Sequence, residues 1–412
     1  MPPPTDPTSP ADRTGPAWTA DRERNRLQLG TFGTNLAPGI TFTSIPGALT
    51  TDWPRIADLA RTADRMGLEA IVPIARWKGY GGERDPHGSS FDTLTWAAAI
   101  GAITEHARVF ATVHAPVVHP LVAAKQIATI DHVTGGRAAV NVVAGWYRPE
   151  LEMFGRPLDE HDRRYDMAEE WTEVLLRLWA EEDEFDHDGE FFRLERAHTA
   201  PKPLQRPRPP IMNAAVSDRG MTYAARCSDL VFVKLDDVPE RAVEQVAAVK
   251  ARAREHGREI QVWTFAYVVC ADSEREARAF VDHYAGDHGE HEASRLALGI
   301  MGVEARMRSD AEAEAFRLSW VAGNGGHPLV GTAEQIAARL DHMADIGIDG
   351  CLLGWPLWEE GMARFGAEVL PLLQARGLRQ PFRPPAGRSS ATPPAEPPAS
   401  DPTVRPRRGA SA

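Results

Sequence analysis

The sequence of 412 residues predicts an α/β protein, and within that class a TIM (β/α)8 barrel. Eight short apolar segments alternate with helical segments, a pattern typical of parallel β/α folds. The segment 138–144 is apolar on both faces except for Asn141, as expected of a parallel strand covered by helices. Residues 25–379 are long enough for one barrel, which takes ~250 residues or more. An open doubly wound sheet is the alternative.

The elements follow one another in regular order. The first strand (27–33) precedes a helix at 53–66, whose Ile56, Leu59 and Ala63 have helical spacing. Gly135-Gly136 ends the helix through Lys125, since glycine readily adopts the positive φ of a helix C-terminus. The predicted strands are 27–33, 68–75, 107–116, 138–144, 209–215, 229–235, 260–270 and 349–355. The other predicted helices are 91–103, 162–181, 217–226, 240–256, 274–284, one opening at the Thr332 to Gln335 capping box, and 359–375.

Three segments depart from this rhythm. Residues 287–328 are Gly-rich and charged, and long insertions in barrels commonly lie over the C-terminal face as lids. A mobile surface excursion is the alternative. Residues 1–24 and 380–412 are rich in Pro, Ser and charge, which predicts disordered tails around one domain at 25–379.

Composition limits the classes of function. The formal net charge of −12 argues against a nucleic-acid partner. The three cysteines are scattered, which suits a reducing cytoplasm and argues against a zinc site or a disulfide scaffold. We find no apolar run of ~18 residues and no signal-peptide core, so we expect a cytoplasmic protein without a membrane span.

In a barrel, function lies where the strands end. These ends carry aromatic side chains and a few donors, without a metal-ligand cluster, a nucleophile elbow or an acid pair. This set suits a flat heteroaromatic cofactor and no metal. The residues are Phe32, Thr34, Arg76, Trp77, Lys78, Thr112, His114, Asn141, Trp146, Ser217, Trp355 and Trp358.

Two of the predicted contacts would hold a ligand. Asn141 is a polar amide inside a buried strand, where it needs a hydrogen-bond partner, and a ligand is one candidate. Ser217 is predicted to cap a helix directly after a strand, where backbone N–H groups attract phosphate. A cap without a ligand is the alternative. Arg164 and Tyr165 are able to bind phosphate oxygens, or to act as a surface charge and a core aromatic.

Proton-transfer groups are less clearly marked. His114 and His119 follow the third strand, and either is a candidate for proton transfer or a structural histidine. Arg76 and Lys78 flank Trp77, where they would meet an anionic substrate or a cofactor edge, or lie in solvent. The candidates for a catalytic role are therefore His114, Arg76 and Trp146.

The chain resembles the bacterial-luciferase-like flavin monooxygenases from about residue 27 to 378. Within that superfamily it is most similar to the dimethyl-sulfone monooxygenases, followed by the pyrimidine-ring-opening and alkanesulfonate monooxygenases. The motifs that carry the resemblance, in chain order, are TIDHVTGGRAAVNVVAGWYRPE, HDRRYD, PKPLQRPRPPI, AAVSDRG and HPLVGTAEQIAARL.

The resemblance implies a TIM barrel that binds reduced FMN as a diffusible substrate and reacts with O2 through a flavin hydroperoxide. A sulfone substrate would undergo C–S cleavage to an alkanesulfinate and an aldehyde. A separate NAD(P)H:FMN reductase and a dimeric or tetrameric assembly are implied as well. With Thr112 added from its strand end, the expected flavin-binding residues are Ala75, Arg76, Thr112, Asn141, Glu150, Arg164, Tyr165 and Ser217. Without the resemblance, Glu150 would be interpreted as a surface acid.

Three alternatives stay open. The same flavin chemistry could act on a pyrimidine, an alkanesulfonate or a secondary metabolite. The barrel could instead serve a deazaflavin F420-dependent oxidoreductase. It could also be a flavin-binding barrel without catalysis, although the set of Asn141, Arg164 and Ser217 argues against that.

Overall fold

Eight parallel strands close into a barrel in the computed structural model, which describes residues 25–215, 217–236, 238–302 and 309–384. Around the barrel the strand order is β9-β11-β1-β2-β3-β4-β7-β8, and pairing of β8 with β9 closes the ring. This closure confirms the predicted TIM barrel and excludes an open sheet. The strands are β1 (Gln28–Phe32), β2 (Ala70–Val72), β3 (Arg108–His114), β4 (Ala138–Val143), β5 (Phe185–Asp188), β6 (Arg193–Ala197), β7 (Ile211–Ala214), β8 (Leu230–Phe232), β9 (Gln261–Cys270), β10 (His327–Gly331) and β11 (Gly350–Gly354).

Helices pack around the barrel between successive strands. Two of them continue through π-helical turns, Asp282–Asp287 and Phe365–Val369. The helices are α1 (Trp53–Arg65), α2 (Thr93–Ile103), α3 (Pro120–Thr134), α4 (Arg148–Met153), α5 (His161–Ala180), α6 (Asp218–Cys227), α7 (Pro239–Glu255), α8 (Glu274–Val281), α9 (His291–Met301), α10 (Asp310–Gly323), α11 (Ala333–Asp345), α12 (Trp358–Arg364) and α13 (Leu370–Ala375). Within the described ranges, each helix is too short or too polar to cross a bilayer.

The local signals read from the sequence are confirmed. Gly135 ends α3 with φ at 68°, in the left-handed region that favours glycine. Thr332 and Gln335 form the reciprocal capping box at the start of α11. Ser217 caps α6, because its Oγ accepts the Gly220 N–H at 3.1 Å.

Strand β10 and helices α4, α9 and α10 were not predicted as elements. Strand β10 pairs with the C-terminal half of β9, beyond the residues that pair with β8, from His327 opposite Ala266 to Gly331 opposite Cys270. Its sequence HPLVG contains Pro and Gly, which are unfavourable in a strand interior and hide the element in the pattern. Helix α4 is a single short segment after β4, and it carries Glu150.

Apolar residues pack in two layers. One layer lies between the strands and the surrounding helices, and the other fills the barrel interior with Phe32, Phe110, Ala139, Trp263 and Leu352 among its members. Because side chains alternate along a strand, Thr112 and His114 share the inward face of Phe110, and Asn141 shares that of Ala139. The polar candidates of β3 and β4 therefore lie on the inward face.

The predicted insertion lies against the loop that follows β1, at the C-terminal end of the barrel. The Phe42 N–H donates to the Val321 carbonyl at 2.8 Å, and the Glu290 N–H donates to the Phe42 carbonyl at 2.8 Å. Trp320 of α10 packs edge-on against Phe42. Whether the insertion closes as a lid stays a prediction. The predicted disordered tails lie outside the described residues, apart from residues 380–384.

Candidate functional site

A buried ionic cluster lies where β2 and β3 end. Arg76 Nη1 lies 3.4 Å from Glu150 Oε1, and His114 Nε2 lies 4.0 Å from Glu150 Oε2. The side chains of Arg76 and Glu150 are only 6% and 4% exposed, so each charge depends on the other for compensation. The Trp77 N–H donates to Glu150 Oε1 at 2.6 Å. Helix α4 thus presents a carboxylate that holds the segment after β2.

Aromatic rings surround the Arg76 guanidinium. Its central carbon lies 4.8 Å from the ring centre of Tyr80, 5.4 Å from that of Trp146 and 5.3 Å from that of Tyr147. Arg76 Nη2 also donates to the Tyr80 hydroxyl at 2.8 Å. Cation–π contacts of this kind stabilise a desolvated guanidinium. We call Arg76, Tyr80, Trp146 and Tyr147 the aromatic cage.

Burial sets the protonation states around the cage. Desolvation lowers the pKa of His114 to about 4 although nearby Glu150 opposes the shift. Desolvation also lowers the pKa of His87 to about 3, and it raises the pKa of Tyr80 to about 12 although Arg76 opposes that shift. At neutral pH both imidazoles are therefore uncharged and the phenol is protonated.

Asn141 and Thr112 lie on adjacent strands at the next part of the site. Asn141 Nδ2 donates to Thr112 Oγ1 at 3.3 Å, and Thr112 Oγ1 donates to the Pro73 carbonyl at 2.6 Å. Within the described residues, Asn141 Oδ1 is buried without a hydrogen-bond partner. A cavity of about 170 Å³ reaches Thr112, Ala75, Arg76 and His114. Thr112 thus links the two features, because it lines the cavity and also accepts the hydrogen bond from Asn141.

A second group of predicted residues meets where α5 and α6 begin. The Tyr165 hydroxyl lies within hydrogen-bonding reach of the Ser217 side chain, and burial raises the pKa of Tyr165. Arg164 donates from Nη1 to the Gly145 carbonyl. A Cβ added to Gly220 would lie 2.6 Å from the Tyr165 hydroxyl, so glycine is needed for this close approach. The group presents hydroxyls, a guanidinium and a helix N-terminus.

The structure brings the predicted residues together in two groups joined by the end of β4. One group holds the residues around the cage, and the other holds the three at the helix starts. The first comprises Ala75, Arg76, Thr112, His114, Asn141, Trp146 and Glu150, and the second comprises Arg164, Tyr165 and Ser217.

Other strand-end candidates lie elsewhere. Trp355 and Trp358 are 1% and 0% exposed, and Trp355 packs against Trp358 and Phe365 in the apolar layer between strands and helices, so the two tryptophans join neither group. His119 caps α3 by accepting the Leu121 N–H at 3.2 Å, which is a structural role. Lys78 is exposed.

Sequence reasoning missed Tyr80, Tyr147, His87 and Asn213. Tyr80 belongs to the GYGG loop and Tyr147 follows Trp146, but neither has a periodic signal that marks it as buried. Asn213 could have been found, since it is a polar residue in the apolar strand PPIMNAA, as Asn141 is in its strand. Its Nδ2 donates to the Val142 carbonyl at 2.7 Å.

Comparisons with known proteins show the family to which the chain belongs. The family described as luciferase-like monooxygenase matches residues 32–350. The FMNH(2)-dependent dimethylsulfone monooxygenase of Pseudomonas putida is 34% identical over 351 residues, covering 82% of this chain and 93% of that protein. The pyrimidine monooxygenase RutA of Variovorax paradoxus is 30% identical over 328 residues, covering 77% and 87%.

A solved structure supports the fold independently. The crystal structure of the riboflavin lyase RcaE, with modified FMN and riboflavin, superposes with a TM-score of 0.77 at 21% identity. The superposition covers 87% of this chain and 94% of that one. The match to the family over most of the chain, together with the closed barrel and its site, identifies this protein as a member of the luciferase-like monooxygenase family, and hence as a flavin-dependent monooxygenase.

Proposed function

We propose that the protein is the FMNH2-dependent monooxygenase of a two-component system and that it oxidises a small organosulfur compound such as dimethyl sulfone. The observation that carries the proposal is a set of buried polar atoms at the barrel mouth that have no partner in the described ranges, Asn141 Oδ1, Arg76 Nε and Arg164 Nε. Since unpaired buried polar atoms are costly, this set favours a ligand with donors and acceptors at several points. Reduced FMN is such a ligand.

The phosphate end of FMN fits the group at the helix starts. Ser217, Tyr165 and Arg164 offer two hydroxyls and a guanidinium. Helix α6 adds the positive end of its dipole and its first N–H groups. Gly220 keeps the space beside the Tyr165 hydroxyl free of a side chain. These residues would hold a phosphate by charge-assisted hydrogen bonds.

The ring end fits the residues at the ends of β2, β3 and β4. Asn141 Oδ1 would accept a hydrogen bond from a flavin N–H, while Thr112 keeps the amide oriented. Arg76 and Ala75 line the adjoining cavity. Trp146 contributes an apolar face beside Arg76. Glu150 acts mainly through Arg76 and the segment after β2, because its Oε1 is already engaged by protein groups.

When bound, reduced FMN supplies two electrons and the activation of O2. For dimethyl sulfone, one oxygen atom enters the substrate and the other leaves as water, and the C–S bond breaks to give methanesulfinate and formaldehyde. The residues of this chain would bind the two reactants and exclude water, which protects reactive species from side reactions. The insertion packed on the loop after β1 would contribute to that exclusion.

The substrate is supported by the relative from Pseudomonas putida, which is named as a dimethylsulfone monooxygenase. A separate NAD(P)H:FMN reductase would supply the reduced flavin. Cys227, Cys270 and Cys351 are all unpaired thiols, which agrees with work in the reducing cytoplasm. We expect a homo-oligomer, a dimer or a tetramer, which sedimentation would reveal.

The binding test compares FMNH2 with reduced riboflavin, which lacks the phosphate. Anaerobic titration, followed by tryptophan fluorescence, should show tight binding of FMNH2 to the wild type. In Ser217→Ala we expect affinity for FMNH2 to fall about tenfold, the size of one charge-assisted hydrogen bond. Affinity for reduced riboflavin should stay unchanged. Equal losses for both ligands would contradict the phosphate assignment.

The activity test supplies FMNH2 from a reductase and measures formaldehyde and methanesulfinate with dimethyl sulfone. Uracil and methanesulfonate serve as competing substrates. Product from uracil alone would move the function to pyrimidines. Tight binding of reduced F420 without binding of FMNH2 would replace the proposal with an F420-dependent oxidoreductase, and peroxide release without product from any substrate would favour a flavin-binding barrel without catalysis.

A further inference from the structure

Tyr80 carries a hydroxyl proton that has no acceptor among residues 25–215, 217–236, 238–302 and 309–384. The residue is 3% exposed, so water does not readily serve as the acceptor. An arginine nitrogen can only donate, and Arg76 Nη2 donates to the Tyr80 oxygen at 2.8 Å. The phenol oxygen is therefore an acceptor in this contact, and its own O–H remains available.

None of the described neighbours of Tyr80 accepts a hydrogen bond from its hydroxyl. Phe42 and Trp146 pack against its ring with centroid distances of 5.5 and 6.3 Å, and both present carbon faces. The imidazole of His87 lies 5.3 Å away by centroid, and its Nδ1 is itself buried without a partner in the described part of the chain. Tyr147 donates its hydroxyl to the Gly79 carbonyl at 2.7 Å. Among the described residues, the Tyr80 O–H is therefore a buried donor of the cage without a protein acceptor.

Arg76 makes this phenol a stronger donor. A cation that donates to the phenol oxygen withdraws electron density from the O–H bond, and hydrogen bonds in a chain reinforce one another. Glu150, 3.4 Å from Arg76, compensates the charge of the guanidinium. His114 and His87 add no charge at neutral pH. The cage thus offers a strong donor in surroundings of nearly zero net charge, which suits an uncharged acceptor better than an anion.

We propose that the Tyr80 hydroxyl donates a hydrogen bond to an oxygen of an uncharged sulfonyl substrate, with Arg76 as the group that polarises the donor. The inference rests on the proposed function and assigns to it a substrate-orienting residue. Glu150 is then a positioning residue, because it acts through Arg76. Sulfone oxygens are neutral hydrogen-bond acceptors. A sulfonate carries a full negative charge, and the Arg76 cation that would attract it is already paired with Glu150.

The experiment uses the full chain with reductase-supplied FMNH2 and compares Tyr80→Phe with Tyr284→Phe. Both variants remove one buried phenol hydroxyl and keep the ring. Tyr284 lies outside the cage, and its hydroxyl already donates to the Ala322 carbonyl at 2.8 Å. We expect the KM for dimethyl sulfone to rise about tenfold in Tyr80→Phe and to stay within about twofold in Tyr284→Phe.

Two further measurements separate recognition of the sulfonyl oxygen from damage to the site. The dissociation constant of FMNH2 should change by less than about twofold in Tyr80→Phe, because the hydrogen bond that this variant loses goes to the sulfone and not to the flavin. Dimethyl sulfide, which lacks the sulfonyl oxygens, should inhibit the wild type and Tyr80→Phe with equal affinity. Circular dichroism and thermal unfolding establish that each variant is folded.

Each outcome decides the inference. If the wild type turns over dimethyl sulfone and Tyr80→Phe has the same KM as the wild type, the inference is overturned and the proposed function stands. Equal effects of the two substitutions, or a loss of FMNH2 affinity in Tyr80→Phe, also overturn it. A wild type that binds FMNH2 but gives no sulfinate overturns the substrate proposal and this inference together.

Discussion

Thr112 and Asn141 lie directly opposite each other on adjacent parallel strands, and the amide of Asn141 donates to the Thr112 hydroxyl at 3.3 Å. The threonine hydroxyl in turn donates a hydrogen bond to the Pro73 carbonyl at 2.6 Å. These two hydrogen bonds fix the orientation of the Asn141 amide, because its NH2 group faces Thr112. Its carbonyl oxygen is left without a partner within the described residues.

Asn141→Ala should weaken FMNH2 binding and leave the fold cooperative. The substitution removes an acceptor that is unpaired in the described structure, so the folded chain loses only the 3.3 Å contact with Thr112. We expect the dissociation constant of FMNH2 to rise about tenfold. Fluorescence titration measures it, and thermal unfolding serves as the control. A collapse of thermal stability with unchanged FMNH2 affinity would mean that Asn141 is a structural amide.

Gly220→Ala should destabilise the protein, although alanine usually stabilises a helix by about 1 kcal/mol relative to glycine. The new Cβ would lie 2.6 Å from the Tyr165 hydroxyl and 3.1 Å from Ser217 Oγ. Relief of such overpacking typically costs about 1–3 kcal/mol, and it would also displace both hydroxyls from the phosphate group of FMN. Urea unfolding and FMNH2 titration test both effects.

Gly299→Ala is the matched control, because Gly299 lies in helix α9 and an added Cβ there meets nothing within 4 Å. This variant should be equally or more stable than the wild type and should bind FMNH2 normally. If Gly220→Ala behaved in the same way, the close packing of Gly220 against Tyr165 would contribute neither to stability nor to FMNH2 binding.

The free energy of unfolding should fall as the pH falls below about 6.5. The pKa of His87 is lowered to about 3 and that of His114 to about 4 by burial, from an ordinary value of 6.5. Between pH 6.5 and 4 these two histidines bind protons in the unfolded chain but stay neutral in the folded chain. With two such histidines, the slope approaches about 2.7 kcal/mol per pH unit. Above pH 6.5 this contribution is complete.

His87→Asn tests the sign and the number of protons. Asparagine tolerates the positive φ of 67° found at this position. We expect the pH slope of the unfolding free energy to fall by about half, since one of the two protons is removed. Urea titrations between about pH 7.5 and about pH 5 measure the slope. A slope that stays unchanged would mean that His87 does not resist protonation.

Arg379→Ala should be strongly destabilising. The Arg379 guanidinium and the Glu69 carboxylate are 5% and 3% exposed, and Arg379 Nη2 lies 2.7 Å from Glu69 Oε1. Glu69 also accepts the Leu29 N–H of β1 at 2.8 Å. Removing the cation leaves a buried carboxylate uncompensated, which costs about 3–5 kcal/mol.

The control for Arg379 is Arg376→Ala. Arg376 pairs with Asp341 at 3.3 Å, and its side chain is 39% exposed. A surface pair of this kind contributes at most about 1 kcal/mol. Equal losses in the two variants, measured by urea unfolding, would show that burial of the Arg379 pair adds nothing. The pair lies at the last residue of the predicted domain 25–379, so the experiment also tests that boundary.

The barrel itself could be predicted because its signals are local. The apolar run around Asn141, the glycine turn at Gly135 and the cap at Ser217 depend on residues close in the chain, and all three appear in the structure. Asn141, Ser217 and the ends of β3 could be placed at the mouth because parallel strands end at the same side of a barrel. Trp355 and Trp358 follow a strand as well but join neither group of site residues, because position after a strand does not determine the direction of a side chain.

The sequence by itself determined the eight strands of the barrel and most of the helices around them, and hence that the barrel mouth carries an amide and a capped helix. Only the tertiary structure decided that Glu150 is buried against Arg76 and that Tyr80 and Tyr147 enclose that guanidinium. The physical reason is that periodicity and capping act over a few residues. The pairing of Arg76 with Glu150 joins positions 74 residues apart through desolvation, which no local pattern encodes.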